Sequence, residues 1–370
     1  MRVALCTFAF PEFTVCLAKA LSAHCDVTVF FPKHVAIADD CFKSIRRFSY
    51  HPEASSAQKL KACLEMIRQV RAFGPHIVHL QGSTPYLVPF LPLIRHVPLI
   101  KTLHDPLPHS GEEQWAHRVT KILLTKLALR VIVLAEAMRG ISLAAYPWLA
   151  GKLTVIPHGT YGCYCEGRAC RPTWLPSDKK YILFFGRVSK YKGVEDLLEA
   201  FDQVSNRELN LVIAGKQLYP LSVPETIKAR VLLADEFISN DVLRYLFRHC
   251  ELVALPYRDA TQSGVLMMAY AFARPIIATN VGGFPEMVRD GETGRLVPPG
   301  APKELAAAIE TYLDDPVLAE DMGRRGACWS EEHFSWERIA RQTFETYRGS
   351  LRCKALGLSS PSLHDSAPSN

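Results

Sequence analysis

A chain of 370 residues with 48% hydrophobic and 22% charged content is too long for one simple core, and its composition excludes a disordered or fibrous protein. The formal charge of +6 is uneven: residues 1–170 carry 19 Lys+Arg against 11 Asp+Glu, and the remainder carries 24 against 26. A basic first half suits an anionic partner, either a phosphate-bearing acceptor or an acidic lipid surface. It is equally consistent with an ordinary solvated face, because no basic run concentrates the charge.

Met1-Arg2 leads into the apolar run VALCTFAF, which stops at Pro11 and reads as a buried first strand, not as a signal peptide. Leu60, Leu64, Ile67 and Val70 recur at helical spacing within Ser55–Phe73, and Gly74-Pro75 then admits a strand over His76–Leu80. Tyr86–Ile100 is the most apolar stretch, but its prolines, Arg95 and His96 interrupt it too often for a bilayer span. Further strands are expected at Pro98–Leu103, Arg130–Leu134, Lys152–Ile156, Tyr181–Phe185, Asn210–Ala214, Glu251–Leu255 and Pro275–Thr279. Helices are expected between most of them, for example Val194–Val204 and Ser263–Ala273. Strands apolar on both parities and separated by helices predict parallel sheets covered on both faces, and their number predicts two such domains.

Between Pro157 and Lys180 the chain is rich in Gly, Pro and small polar residues with no period, which predicts a linker or crossing segment. The expected organisation is a first domain over 1–170, a second over 171–334, a closing helix over 335–352 packing back toward the first domain, and a disordered tail over 353–370. Eleven scattered cysteines without an export signal read as reduced thiols of a cytoplasmic protein. Cys163, Cys165 and Cys170 lack a fourth ligand, so no metal site is expected there.

Three turns carry the chemistry. The first is Gly186-Arg187-Val188-Ser189-Lys190-Tyr191-Lys192-Gly193, between a strand and a helix. It places two cations at the carboxyl edge of a sheet, where open α/β folds bind ligands, and an anion between them would offset their unfavourable position beside a helix start. The second is Pro256–Gly264, whose Thr261, Gln262, Ser263 and Gly264 precede a helix. They offer amides and hydroxyls to an anion or a sugar, or simply an N-cap. The third is Asn280–Glu286, a glycine turn facing the same edge.

FGRVSKYKGVEDLLEAF, LVIAG, AYAFARPIIATNVGGFPEMVRDGETGRLVPPG and FSWERIARQTFETY resemble glycosyltransferase family 4, and MRVALCTFAFP, GPHIVHLQG, PLIKTLHD and KLTVIPHG agree with it in order, less densely. The resemblance implies a GT-B fold, two Rossmann-like doubly wound domains facing across a cleft. It also implies a retaining, metal- and cofactor-independent hexosyltransferase that uses a UDP-, GDP- or similar nucleotide sugar. Arg187 and Lys192 would grip the donor diphosphate. Gly186, Gly215, Asp259, Thr261, Gln262, Ser263, Gly264, Val265 and Glu286 would line the donor site, and His104 would lie near the reacting centre on the first domain's side. The acceptor would be a glycan or a polyprenyl-linked acceptor met in the cytoplasm or at the inner face of an anionic membrane, with no role for nucleic acid.

Two departures stand out. Ala260 and Met268 occupy the places of the family's paired glutamates, with Asp259 or Gln262 near enough to substitute for the first. The first βα turn, Phe8–Thr14, lacks the glycine pair of many relatives. The alternative reading is a degenerate GT-B protein that binds a nucleotide sugar or a partner without transfer.

Overall fold

The computed structural model describes residues 1–35, 44–107, 115–177 and 179–356, and these fall into two compact units. The first runs to Gly159 and resumes at Trp336; the second is Thr160–Ser335.

In the first unit, β1 (Arg2–Thr7), β2 (Asp26–Pro32), β3 (Ile45–Phe48), β4 (Ile77–Gln81), β5 (Leu99–Thr102), β6 (Arg130–Val133) and β7 (Leu153–Val155) form one sheet. Its order is β3-β2-β1-β4-β5-β6-β7 and every pairing is parallel. The helices are α1 (Pro11–Leu21), α2 (Ser56–Phe73), α3 (Trp115–Leu127) and α4 (Ala137–Ala145). The α2 start has both halves of a capping box, Ser55 and Gln58, and Gly74 closes it in the left-handed conformation.

The second unit repeats the design with β8 (Tyr181–Phe185), β9 (Asn210–Ala214), β10 (Val231–Ala234), β11 (Leu252–Leu255), β12 (Ile276–Thr279) and β13 (Arg295–Val297). The sheet order is β10-β9-β8-β11-β12-β13, again parallel throughout. Its helices are α5 (Val194–Gln203), α6 (Asn240–His249), α7 (Gly264–Ala271), α8 (Phe284–Met287), α9 (Pro302–Asp314) and α10 (Pro316–Phe334). The last helix, α11 (Trp336–Ala355), belongs to the first unit, where Ile339, Ala340 and Tyr347 join Phe13, Leu17 and Leu21 of α1 in one core.

The expected boundary at 170 is corrected to 159/160. Residues 160–170 are anchored in the second unit: the Thr160 N–H donates to the Phe334 carbonyl at 3.0 Å, the Arg244 Nε–H to the Tyr164 carbonyl at 3.0 Å, and the Cys170 N–H to the Asp241 carbonyl at 2.9 Å. The closing helix also runs beyond 352 to Ala355, and of the expected tail residues 357–370 lie outside the described part. Strands β2, β3, β10 and β13 are additional to those expected from the apolar runs. Among the described residues no helix is long and apolar enough to cross a membrane.

In both sheets the strand order reverses beside the first strand, between β1 and β4 and between β8 and β11. Open α/β sheets bind ligands at such points, outside the carboxyl ends of the strands. The turns after β1, β4, β8 and β11 are therefore where sites belong.

Candidate functional site

In the second unit, β8 ends at Phe185 and Gly186 turns away with φ 106°. Gly215, at the end of β9, has φ 141°, and a Cβ on it would lie 2.3 Å from the Gly186 carbonyl oxygen. The two turns touch backbone to backbone, which only glycine allows. The Lys192 side chain folds back over this turn: its Nζ lies 3.0 Å from where a Gly186 Cβ would stand and 4.9 Å above the Tyr257 ring. Val265, in the first turn of α7, comes within 3.7 Å of the same point. The ends of β8 and β11 and the start of α7 thus converge on one ammonium group. Lys192 is only 8% exposed, whereas Arg187 is exposed. Burial pushes the Tyr257 phenol up to about 12, so the ring under Lys192 is neutral and acts through its π face.

Ser263 caps α7, its Oγ accepting the Leu266 N–H at 3.3 Å. That fulfils the N-cap reading, and it leaves the Gly264 and Val265 amides without intrahelical acceptors at the positive end of the helix. A Cβ on Gly264 would meet the Tyr161 ring at 2.9 Å, so Tyr161 closes over this end. Thr261 is buried and Asp259 exposed. The Gln262 Oε1 is buried and finds no hydrogen-bond partner among the described residues. Glu286 is exposed in the short α8, behind the Gly282 turn. That turn presses on the second one: a Cβ on Gly282 would stand 1.5 Å from the Ala260 carbonyl oxygen. Ala260 and Met268 are both buried and present only apolar side chains.

Sequence reasoning missed what holds the second turn in place. Arg258 forms a two-pronged pair with Asp196 (Nε to Oδ2 2.8 Å, Nη2 to Oδ1 2.6 Å), and its N–H donates to the Tyr191 carbonyl at 2.7 Å. The Pro256–Gly264 loop is thereby tied to the Lys190–Lys192 turn. In sequence Asp196 reads only as an acidic residue in the first turn of α5.

In the first unit, His104 follows β5 and is 4% exposed. Its ring stacks at 3.7 Å on Phe10 and meets the edge of Phe13 at 4.9 Å. Phe10 adopts φ 59° and ψ 52°, the left-handed conformation usual for glycine. The missing glycine pair thus has a physical counterpart: an aromatic residue bears the strained turn and covers His104. With Nε2–H donating to the Gln81 Oε1 at 2.8 Å, Nδ1 presents a buried lone pair with no partner among the described residues. Burial, reinforced by Lys101 and partly opposed by Asp105, holds the His104 pKa well below its usual 6.5. The imidazole is therefore neutral and accepts hydrogen bonds.

Behind it runs a polar chain invisible to local patterning. Gln81 Nε2 donates to the Thr102 Oγ1 at 3.1 Å, His79 Nε2 lies 2.8 Å from the same oxygen, and His79 Nδ1 lies 2.7 Å from the Tyr347 hydroxyl. Lys101 is buried beside it, donating to the carbonyls of Gly82 at 2.7 Å and Thr102 at 2.8 Å. Burial, then Lys121, lower its pKa to about 7 against the pull of Asp105. His158, whose Nδ1 lies 2.7 Å from the Gly159 carbonyl oxygen, is lowered to about 4 by burial.

These histidines set an acid limit. His79 is lowered to about 3, chiefly by burial, so below the unfolded value of 6.5 the unfolded chain takes up protons that native His79, His104 and His158 refuse. Stability is then lost as pH falls, by about 1.4 kcal/mol per pH unit for each fully buried group. The first unit's melting temperature should drop steeply from pH 6 toward pH 4. A flat profile there would show that these rings charge freely in the native state.

Two doubly wound parallel sheets in one chain, each reversing its strand order beside its first strand, place the molecule in the GT-B class of glycosyltransferase folds. Sucrose-phosphate synthase from Thermosynechococcus elongatus superposes with a TM-score of 0.72 at 21% identity, covering 96% of this chain and 100% of that one. Anabaena HepE, solved in complex with UDP-glucose, superposes at 0.71 and 18% identity, covering 94% and 99%. Residues 12–160 match Glycosyltransferase Family 4 and residues 179–315 match Glycosyl transferases group 1, and the chain belongs to these glycosyltransferases. The D-inositol 3-phosphate glycosyltransferase of Corynebacterium glutamicum (strain R) is 31% identical over 199 residues, 50% of this chain and 47% of that protein. At that level of identity the chain spans about half the length of the curated relatives it matches.

Proposed function

We propose that the protein transfers a hexose from a nucleoside-diphosphate sugar to a glycan or lipid-linked acceptor, with retention and without a metal or cofactor. The observation that carries this reading is the convergence of the Lys192 ammonium, the Gly186 turn and the amide end of α7 at one switch point. A buried ammonium beside helix-end amides that have no intrahelical acceptor suits a diphosphate whose charge rises as the glycosidic bond breaks. Arg187, exposed on the same turn, is assigned the distal side of that group. In this mechanism the acceptor hydroxyl attacks the anomeric carbon from the face the phosphate leaves, and the departing phosphate oxygen takes the hydroxyl proton. No side-chain base is then required, and the positive charge of Lys192 and Arg187 does the work a metal would otherwise do.

The His104 Nδ1 lone pair is assigned to a hydroxyl of a sugar substrate, and Gln262 Oε1, buried and unmatched, to another hydrogen-bond donor of the donor sugar. The basic first unit is assigned to the acceptor, at the cytoplasmic face of an anionic membrane when that acceptor is lipid-linked.

One observation favours a second reading, a nucleotide-sugar binder without transfer: Ala260 and Met268 bring no carboxylate to the donor site. A nucleotide-release assay across UDP- and GDP-sugars with glycan and polyprenyl-linked acceptors separates the two. Acceptor-dependent release supports transfer. Tight nucleotide binding with no release under any acceptor would move the assignment to the binder.

A further inference from the structure

The first unit carries an apolar groove beside the Pro85–Ile94 segment, which follows the β4 turn. It has a volume of about 720 Å³ and is walled by Val88, Leu91, Ile94, Leu99, Leu123 and Leu127, with Arg95 and Lys354 the only charged lining residues among those described. One wall is the exposed side of α3. On that helix Trp115, Val119, Leu123 and Leu127 follow one another at intervals of four and so share a face. Trp115 is 80% exposed, Val119 54% and Leu127 53%. Leu93, on the 3-10 segment Pro85–Ile94 that forms the opposite wall, is exposed as well. Water-facing apolar groups placed together in this way mark an interaction surface and not scattered exposure.

The charge around the groove selects the partner. Helix α3 contains no Asp or Glu and carries Arg118, Lys121 and Lys126, and Arg95 lies on the groove; the nearest acidic residues in sequence are Asp105, Glu112, Glu113 and Glu136. Arg118 and Lys126 are exposed on α3, flanking the apolar stripe. A helix with an apolar stripe, an indole at one end and Lys or Arg but no Asp or Glu of its own has the pattern of a segment lying in a membrane interface. A sheet of anionic headgroups over an apolar interior complements both the cations and the apolar stripe of such a face at once.

We propose that this face, α3 together with the groove beside it, docks the protein on a bilayer containing anionic phospholipid. The α3 stripe enters the headgroup boundary and the groove receives part of a lipid chain. Arg95, Arg118, Lys126 and Lys354 meet headgroup phosphates. The proposal deepens the membrane part of the reading above, so nucleotide binding is measured beside it and the two can fail separately.

The test is cosedimentation of the full chain with phosphatidylcholine vesicles and with vesicles that also contain phosphatidylglycerol. Wild type is expected to pellet with the anionic vesicles and to be released by salt. Arg118→Gln with Lys126→Gln should weaken that partitioning roughly thirty-fold, and Leu127→Asp about tenfold. All variants should keep the wild-type melting shift with nucleotide. Failure of wild type to pellet, or equal partitioning of both variants, overturns the proposal. So does a dimer, seen by light scattering, that Leu127→Asp dissociates, because a second copy would then be what covers this face.

Discussion

Lys192→Met is expected to lower kcat/KM for sugar transfer by about a hundred- to a thousand-fold, the range found when one preorganised donor to a developing negative charge is removed. The side chain is buried over the Gly186 turn and the Tyr257 face, so its ammonium is held in place at the turn. Methionine fills a similar volume, and the unliganded melting temperature should move little, which separates lost chemistry from lost packing. Arg187→Ala should behave alike on transfer with still less effect on stability, because Arg187 is exposed. Steady-state kinetics beside thermal unfolding checks both. Transfer retained within a few-fold in Lys192→Met would remove this lysine from the reacting diphosphate.

His104→Ala is expected to lower kcat about ten- to a hundred-fold while leaving nucleotide affinity within a factor of about two. The argument rests on the unmatched Nδ1 lone pair of a ring fixed from three sides, by Gln81, Phe10 and Phe13. Removing the ring also leaves a cavity and strips Gln81 Oε1 of its donor, so a loss of roughly 2–4 kcal/mol of stability accompanies the change. His104→Asn, which restores a hydrogen-bonding group, should recover some stability. Equal losses in kcat and in nucleotide affinity would place His104 in the scaffold alone.

Much of the second unit was legible because its strands are short unbroken apolar runs bounded by glycine. Tyr181–Phe185 and Asn210–Ala214 have the limits expected for them. Ile45–Phe48 carries Arg46 and Arg47, and Arg295–Val297 is only three residues long, so neither shows a strand pattern until a neighbour pairs with it. The boundary shifted because the polar, aperiodic residues 160–170 gain their order from partners far away in sequence, including Phe334, Asp241 and Arg244.

The same physics divides the site. Gly186, Lys192 and Gly264 stood out because residue type at a strand end has a local meaning. The fork between Arg258 and Asp196, and the chain from Gln81 through Thr102 and His79 to Tyr347, join residues up to 268 positions apart and leave no local trace. The left-handed Phe10 was illegible for the opposite reason: local rules place glycine there, and only the stacked His104 shows what the aromatic residue contributes.

The central claim is that the turn carrying Gly186, Arg187 and Lys192, with the start of α7, receives a nucleoside diphosphate. Thermal unfolding of wild type with UDP, GDP, ADP and CMP tests it most directly. A diphosphate supplied at a hundred times its Kd should stabilise the protein by about 2.7 kcal/mol. The base that does so names the donor nucleotide, and the shift should vanish in Arg187→Ala with Lys192→Met. No shift with any diphosphate, or one that survives the double substitution, would contradict the account.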